Sequence, residues 1–166
     1  MSLKIREHEF MELTRELLNS DQVRMMGRWR HHGPVTTLDH SLFVAYSSYR
    51  VARLLRLDAA AAARGGLLHD LYLYDSRDKT AHPGSQCFDH PRFAARNAES
   101  VTDLSPKERN IILSHMWPLG GALPRSSEAW LVDLVDTVCA GLELTRIYRP
   151  VRLRERLGVR PLLALT

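Results

Sequence analysis

Cysteine is nearly absent. Cys87 and Cys139 are the only two in 166 residues, so neither a disulfide framework nor a paired-cysteine metal site is available. The chain also lacks any uninterrupted apolar run of the roughly eighteen residues that a membrane-spanning helix needs, and no membrane partner is expected. Met1 to Asn19 carries charges throughout, which does not read as a signal peptide, and cytoplasm is the expected compartment. No stretch alternates apolar and polar residues as a half-buried strand would. Internal repeats and low-complexity segments are missing apart from the alanine run at Ala59 to Ala63. Lysine is scarce beside arginine, and the positive surplus, +4 with a pI near 9.4, is spread along most of the chain. That distribution draws no stripe for a nucleic acid, which is not an expected partner. The one dense run, Arg149, Arg152, Arg154, Arg156 and Arg160, reads as the solvated face of a terminal helix.

What is present is an ordinary globular composition, 45% hydrophobic and 25% charged, in a length that fits one domain with one core. Ile5, Phe10, Leu13, Leu17 and Leu18 recur at helical spacing over residues 4–19, and Asp21 to Trp29 adds a shorter helical piece. Gly33-Pro34 marks a turn. Thr36 or Thr37 then caps a long helix to about Leu57, and Asp58 caps the next one, which ends near Asp70 to Tyr74. A polar loop covers Arg77 to Phe88. Asp89-His90-Pro91 opens another helix, with Pro91 in its first turn. Ser105-Pro106-Lys107-Glu108 combines a capping box with proline at the first helical position, and its helix runs through Ile111 and Ile112 to His115. After a loop rich in glycine and proline, Ser126 or Ser127 caps a helix carrying Trp130, Leu131, Leu134, Val135, Val138 and Leu142. The expected architecture is an all-α bundle of five to seven helices: packing helices at 4–29, a central core at about 32–140 and a basic helix at about 150–166.

The stretch Gly65 to Asp70 organises the chemistry. His69 and Asp70 close an apolar, small-residue helix, and burying an ionised carboxylate costs several kcal/mol without a compensating cation or hydrogen bonds. Imidazole with carboxylate is the mixture that divalent metals take. Other helices bring candidates of the same kind: His40 near the start of one, His90 at the start of another, His115 near the end of a third, Asp133 and Asp136 on the last long one. Ligands projecting inward from several packed helices are a standard way to hold a metal rigidly. His8 and His31 read as surface residues.

The order His40, His69-Asp70, then a distant Asp136 resembles the HD-domain superfamily of metal-dependent phosphohydrolases. His90 and His115, placed between the doublet and the last Asp, are similar to its two-metal branch. The segment from His32-Gly33 to His40-Ser41 and Val44-Ala45 also resembles small bacterial HD-domain hydrolases. The doublet continues here as Leu71-Tyr72-Leu73-Tyr74, without the Gly-Lys or the GYP signature of the cyclic-dinucleotide enzymes. The resemblance implies one or two divalent ions, of Fe, Mn, Zn, Ni or Mg. His40, His69, Asp70 and Asp136 would hold the first, with Asp70 bridging to a second taken by His90 and His115. Asp136 is preferred to Asp133 as the last ligand, with Asp133 as a group that orients a ligand histidine. The implied reaction is hydrolysis of a small phosphomonoester or phosphodiester, nucleotide-like in size, by metal-activated water, with Asp70 and His69 central. Among candidate phosphate-binding residues are His32, Lys79, His82, Arg92 and Arg96. The same ligands would also serve an HD-type di-iron oxygenase or a non-catalytic domain that binds a metal or nucleotide.

Overall fold

Local capping chemistry sets where the helices begin. The computed structural model describes residues 3–31, 33–78, 80, 84–145 and 151–162. Within them α1 spans Leu3–Asn19, α2 Asp21–Met25, α3 Thr37–Leu55, α4 Ala59–Leu68, α5 Gln86–Val101, α6 Pro106–Ser114, α7 Ser127–Leu144 and α8 Val151–Arg156. Five of these start on a side-chain cap: Ser20, Thr36, Asp58, Ser105 and Ser126 each accept a backbone N–H from the first turn, contacts worth about 1 kcal/mol apiece. At α6 the capping box is complete, with Glu108 reaching back to the N–H of Ser105. The eight α-helices exceed the expected five to seven because α2 and α8 are single short pieces. Among the described residues there is no strand, only one isolated bridge between Arg30 and Thr36, and no helix is long and apolar enough to cross a membrane.

One boundary differs from the expectation. Pro91 lies inside α5, in its second turn, because the helix starts five residues earlier, at Gln86. The carbonyl of Ser85 accepts from Phe88 and Asp89, and the Gln86 side chain accepts from the Tyr74 hydroxyl at 2.9 Å. These contacts anchor a first turn that proline chemistry alone does not signal.

The site is positioned by a hairpin. Arg56, in the left-handed region at φ 59°, ends α3, and three residues later α4 returns along it. A Cβ on Gly66 would stand 3.1 Å from the Cα of Ala45, so the glycine allows the two backbones to touch. Gly65 makes room for the Ile111 side chain of α6, which a Cβ there would meet at 2.8 Å. Leu38, Leu42, Tyr49, Leu67, Leu68 and Ile112 fill the space between α1, α3, α4 and α6. Val44, Ala62, Ile111, Ala129, Val132 and Cys139 seal α7 onto the same hairpin. Two of the terminal arginines are tied down within the chain: Arg154 pairs with Asp39 at the start of α3, and Arg156 with Glu7 at 3.0 Å.

Candidate metal centre

Because α3 and α4 form a hairpin, the first turn of α3 and the last turn of α4 lie at the same end. His40 comes from the former. His69 is the C-cap of α4, with Asp70 directly after it. The second turn of α5 adds His90, the C-cap of α6 adds His115, and the middle of α7 adds Asp136. Four of these are buried histidines, and Asp70 is buried among them.

Asp70 divides the cluster between its two oxygens. Oδ1 lies 3.3 Å from His90 Nε2 and 3.5 Å from His115 Nε2, whereas Oδ2 lies 3.7 Å from His69 Nε2 and 3.3 Å from His31 Nε2. Asp136 Oδ1 approaches His40 Nε2 at 2.8 Å and His69 Nε2 at 3.6 Å. All six residues singled out in the sequence as ligands therefore meet. The donor atoms of His40, His69 and Asp136 lie within 4.8 Å of one another, as do those of His69, Asp70 and His115.

The tautomers decide what this cluster can hold. Three imidazoles donate Nδ1–H to a backbone carbonyl: His69 to Gly66 at 2.7 Å, His90 to Gln86 at 2.6 Å and His115 to Ile112 at 2.7 Å. His40 donates Nδ1–H to the carboxylate of Glu143 at 3.0 Å. A carbonyl or carboxylate only accepts, so each neutral ring keeps its lone pair on Nε2, and every Nε2 points into the cluster. His90 Nε2 faces His115 Nε2 at 2.7 Å, a contact that only a shared proton or a cation makes favourable. His69 Nε2 is buried without a hydrogen bond beside two carboxylates. Lone pairs converging on carboxylates fit a divalent cation.

Without a cation, protons take its place. Burial opposes charge on His40 and His69, but hydrogen bonds and charges from Asp136, Glu143 and Asp70 outweigh it and lift both to about 9. Asp70 and Asp136 are held well below the usual carboxylate range: burial would raise them, but His69 and the other imidazoles prevail. His90 falls to about 4, chiefly through burial. Asp133, on the same side of α7, is pushed up to about 6 by burial and by the charge of Asp136.

Residues 37–141 match the HD domain family. The chain belongs to that family. No match was found among curated proteins or among solved structures. The HD domain defines a superfamily of metal-dependent phosphohydrolases, and the buried His and Asp cluster is compatible with the divalent metals such domains bind.

Two residues of the cluster escaped the sequence reading. His31, expected at the surface, stacks on His40 with ring centroids 3.9 Å apart. The left-handed Gly33, at φ 55°, and the hydrogen bond from His31 N to Val35 O fold the preceding segment back over α3. Glu143 is buried and lies 3.5 Å from His31 Nδ1 as well as against His40. Its spacing of seven residues from Asp136, two helical turns on the same face, was a signal available in the sequence. Hydrogen bonds to the two histidines hold the Glu143 carboxyl down at about 2 against the effect of burial. Of the five candidate phosphate-binding residues, His32, Lys79 and His82 lie outside the described residues. Arg96 is exposed on α5. Arg92 lines a separate cleft with Cys87, Phe88 and Leu113, not the cavity at Asp70.

That cavity has a volume of about 470 Å³. His31, Asp70, His90, His115 and Asp136 form its floor, and Met116, Trp117, Leu119 and Leu144 form an apolar wall.

Proposed function

We propose that this HD domain hydrolyses a small phosphomonoester or phosphodiester of nucleotide-like size. His40, His69, Asp70 and Asp136 hold one divalent metal, while Asp70, His90 and His115 hold a second. The convergence of four Nε2 lone pairs on two carboxylates, at the floor of a cavity open to small molecules, carries this reading. Metal bound there supplies an activated water and neutralises charge on the phosphoryl oxygens.

The protein's own groups do the rest. Glu143 keeps the Nδ1 proton on His40 and so commits its Nε2 to the site, the orienting role that carboxylates play behind metal-binding histidines. Carbonyls of Gly66, Gln86 and Ile112 do the same for the other three rings. Asp70 presents one oxygen to each half of the cluster, which makes it the residue whose loss affects both. The cavity volume lies in the range of small-molecule sites, and Trp117 with Leu119 offers a dry face to the organic part of the ester.

Metal analysis and a panel of phosphomonoesters and phosphodiesters, assayed with Mn, Fe and Ni, test the proposal. One to two equivalents of transition metal are expected in the purified protein, and changing His69 and Asp70 together to Ala removes most of it. Retention of the full complement by that variant refutes the ligand assignment. A metal-loaded protein that leaves every ester intact refutes the phosphohydrolase reading in favour of oxygenase or regulatory function.

A further inference from the structure

Helix α7 is built inside out. Its four acidic residues, Glu128, Asp133, Asp136 and Glu143, all face the interior, three of them buried and Asp136 nearly so. The opposite stripe is apolar and in water: Trp130 is 45% exposed, Leu134 62% and Val138 52%, with Leu144, 67%, at its edge. Trp130, Leu134 and Val138 recur at four-residue steps, one face over about 12 Å of helix, and Leu144 extends it by a further turn and a half. Trp117, 37% exposed, packs edge-on against Trp130 at 6.4 Å and widens the stripe.

The same face carries Gly141. A Cβ there would meet nothing within 4 Å, so no packing among the described residues requires glycine, although glycine in a helix interior costs about 1 kcal/mol relative to alanine. Thr137 and Thr145 flank it on the exposed side. The result is a shallow trough beside a ridge formed by Trp130 and Leu134.

We propose that this face of α7 is a self-association surface, occupied by α7 of a second copy of the chain in an isologous, antiparallel pair. Size supports that occupant. For side chains of these types the fractional exposures correspond to roughly 500 Å² of apolar surface. A symmetric pair removes up to twice that, about 1,000 Å², before Thr137, Gly141 and Thr145 are counted, which meets the lower bound for a specific interface. Running the helices antiparallel sets the Leu134 end of one copy over the Gly141 trough of the other, with Val138 near the two-fold axis. Charge argues against other occupants: α7 itself has no Lys or Arg, so the helix does not supply the cations with which an amphipathic helix meets an anionic membrane or a nucleic acid.

The pairing bears on the site as well. Thr137, Gly141 and Leu144 also line the cavity above Asp70 and Asp136. The second copy therefore stands at the mouth of that cavity and adds to its wall.

Sedimentation velocity or light scattering on the full chain as purified, at about 100 µM, reads the proposal directly. The expected mass is twice 19.0 kDa. Leu134→Glu and Val138→Glu, both on exposed positions, each shift the mass to that of one chain with an unchanged helical circular dichroism spectrum. Val138→Cys yields a disulfide-linked dimer on mild oxidation, whereas wild type, with Cys87 and Cys139 in place, does not. A wild-type monomer at this concentration overturns the proposal, and so does a wild-type dimer that survives both glutamate substitutions or leaves Val138→Cys unlinked.

Discussion

Metal binding to this cluster is coupled to proton release, with a size that follows from the geometry. In the metal-free protein His40 and His69 titrate at about 9, so at pH 7 each is about 99% protonated. A metal takes only the neutral ring. Binding at pH 7 therefore expels close to two protons, and affinity rises about 100-fold per pH unit up to roughly pH 8, less steeply towards 9, and levels off above it. Stability of the metal-free protein follows from the same shifts. Both histidines have folded-state values above the ordinary 6.5, so their contribution is complete below 6.5 and disappears as pH rises through 9. Asp70 and Asp136 are lowered from 3.8; their contribution is present above 3.8 and is lost as pH falls through their depressed values. The metal-free protein is then most stable between about pH 4 and 6.5, on the acid side of its best metal binding. Calorimetric titration with Mn or Zn in buffers of different ionisation enthalpy, at pH 7 and again near 9.5, counts the protons. About two at pH 7 and about half a proton at 9.5 are expected. An affinity independent of pH between 6.5 and 8.5 refutes the argument.

Three further outcomes are expected. Glu143→Ala, which removes the acceptor behind His40 Nδ1, lowers metal affinity 10- to 100-fold; Glu143→Gln, able to accept from the same nitrogen, lowers it less, and unchanged affinity in the Ala variant contradicts the orienting role. Replacing His90 and His115 together by Ala leaves one metal of two bound, so loss of both, or of neither, refutes the division of the cluster at Asp70. Gly66→Ala pushes a methyl against the backbone of Ala45 and destabilises the protein by about 1–3 kcal/mol, read as a lowered Tm; helix propensity alone predicts the opposite sign, so a raised Tm refutes the close-approach reading of that glycine.

Helix starts were legible because capping is a local interaction. Thr36, Asp58, Ser105 and Ser126 each act on an N–H within three residues, and nothing distant competes. Pro91 misled because its fitness for a first turn is also local, while the actual start of α5 depends on Ser85 and on Tyr74 reaching Gln86. The clustering of His40, His69, Asp70, His90, His115 and Asp136 was legible through their order along the chain. His31 was not: its position arises when the segment before α3 folds back, and a loop histidine carries no periodic signal of that.

For α7 the periodicity announced two faces without saying which would be buried. Helical spacing places Trp130, Leu134 and Val138 on one side and Asp136 and Glu143 on the other, and hydrophobicity alone would turn the first side inward. Here the cluster decides. Burying carboxylates costs several kcal/mol each unless opposite charge meets them, and at the inner face of α7 it does: His40 meets Asp136 and Glu143, His69 meets Asp136, and His31 meets Glu143. Once those contacts orient the helix, Ala129, Leu131, Val132 and Cys139 still reach the core and Val135 packs against it, but Trp130, Leu134 and Val138 have only the outside left. The exposed stripe and the inward acids are thus two consequences of one constraint. A surface cost that fixes the site at the centre of the molecule is relieved where two copies meet.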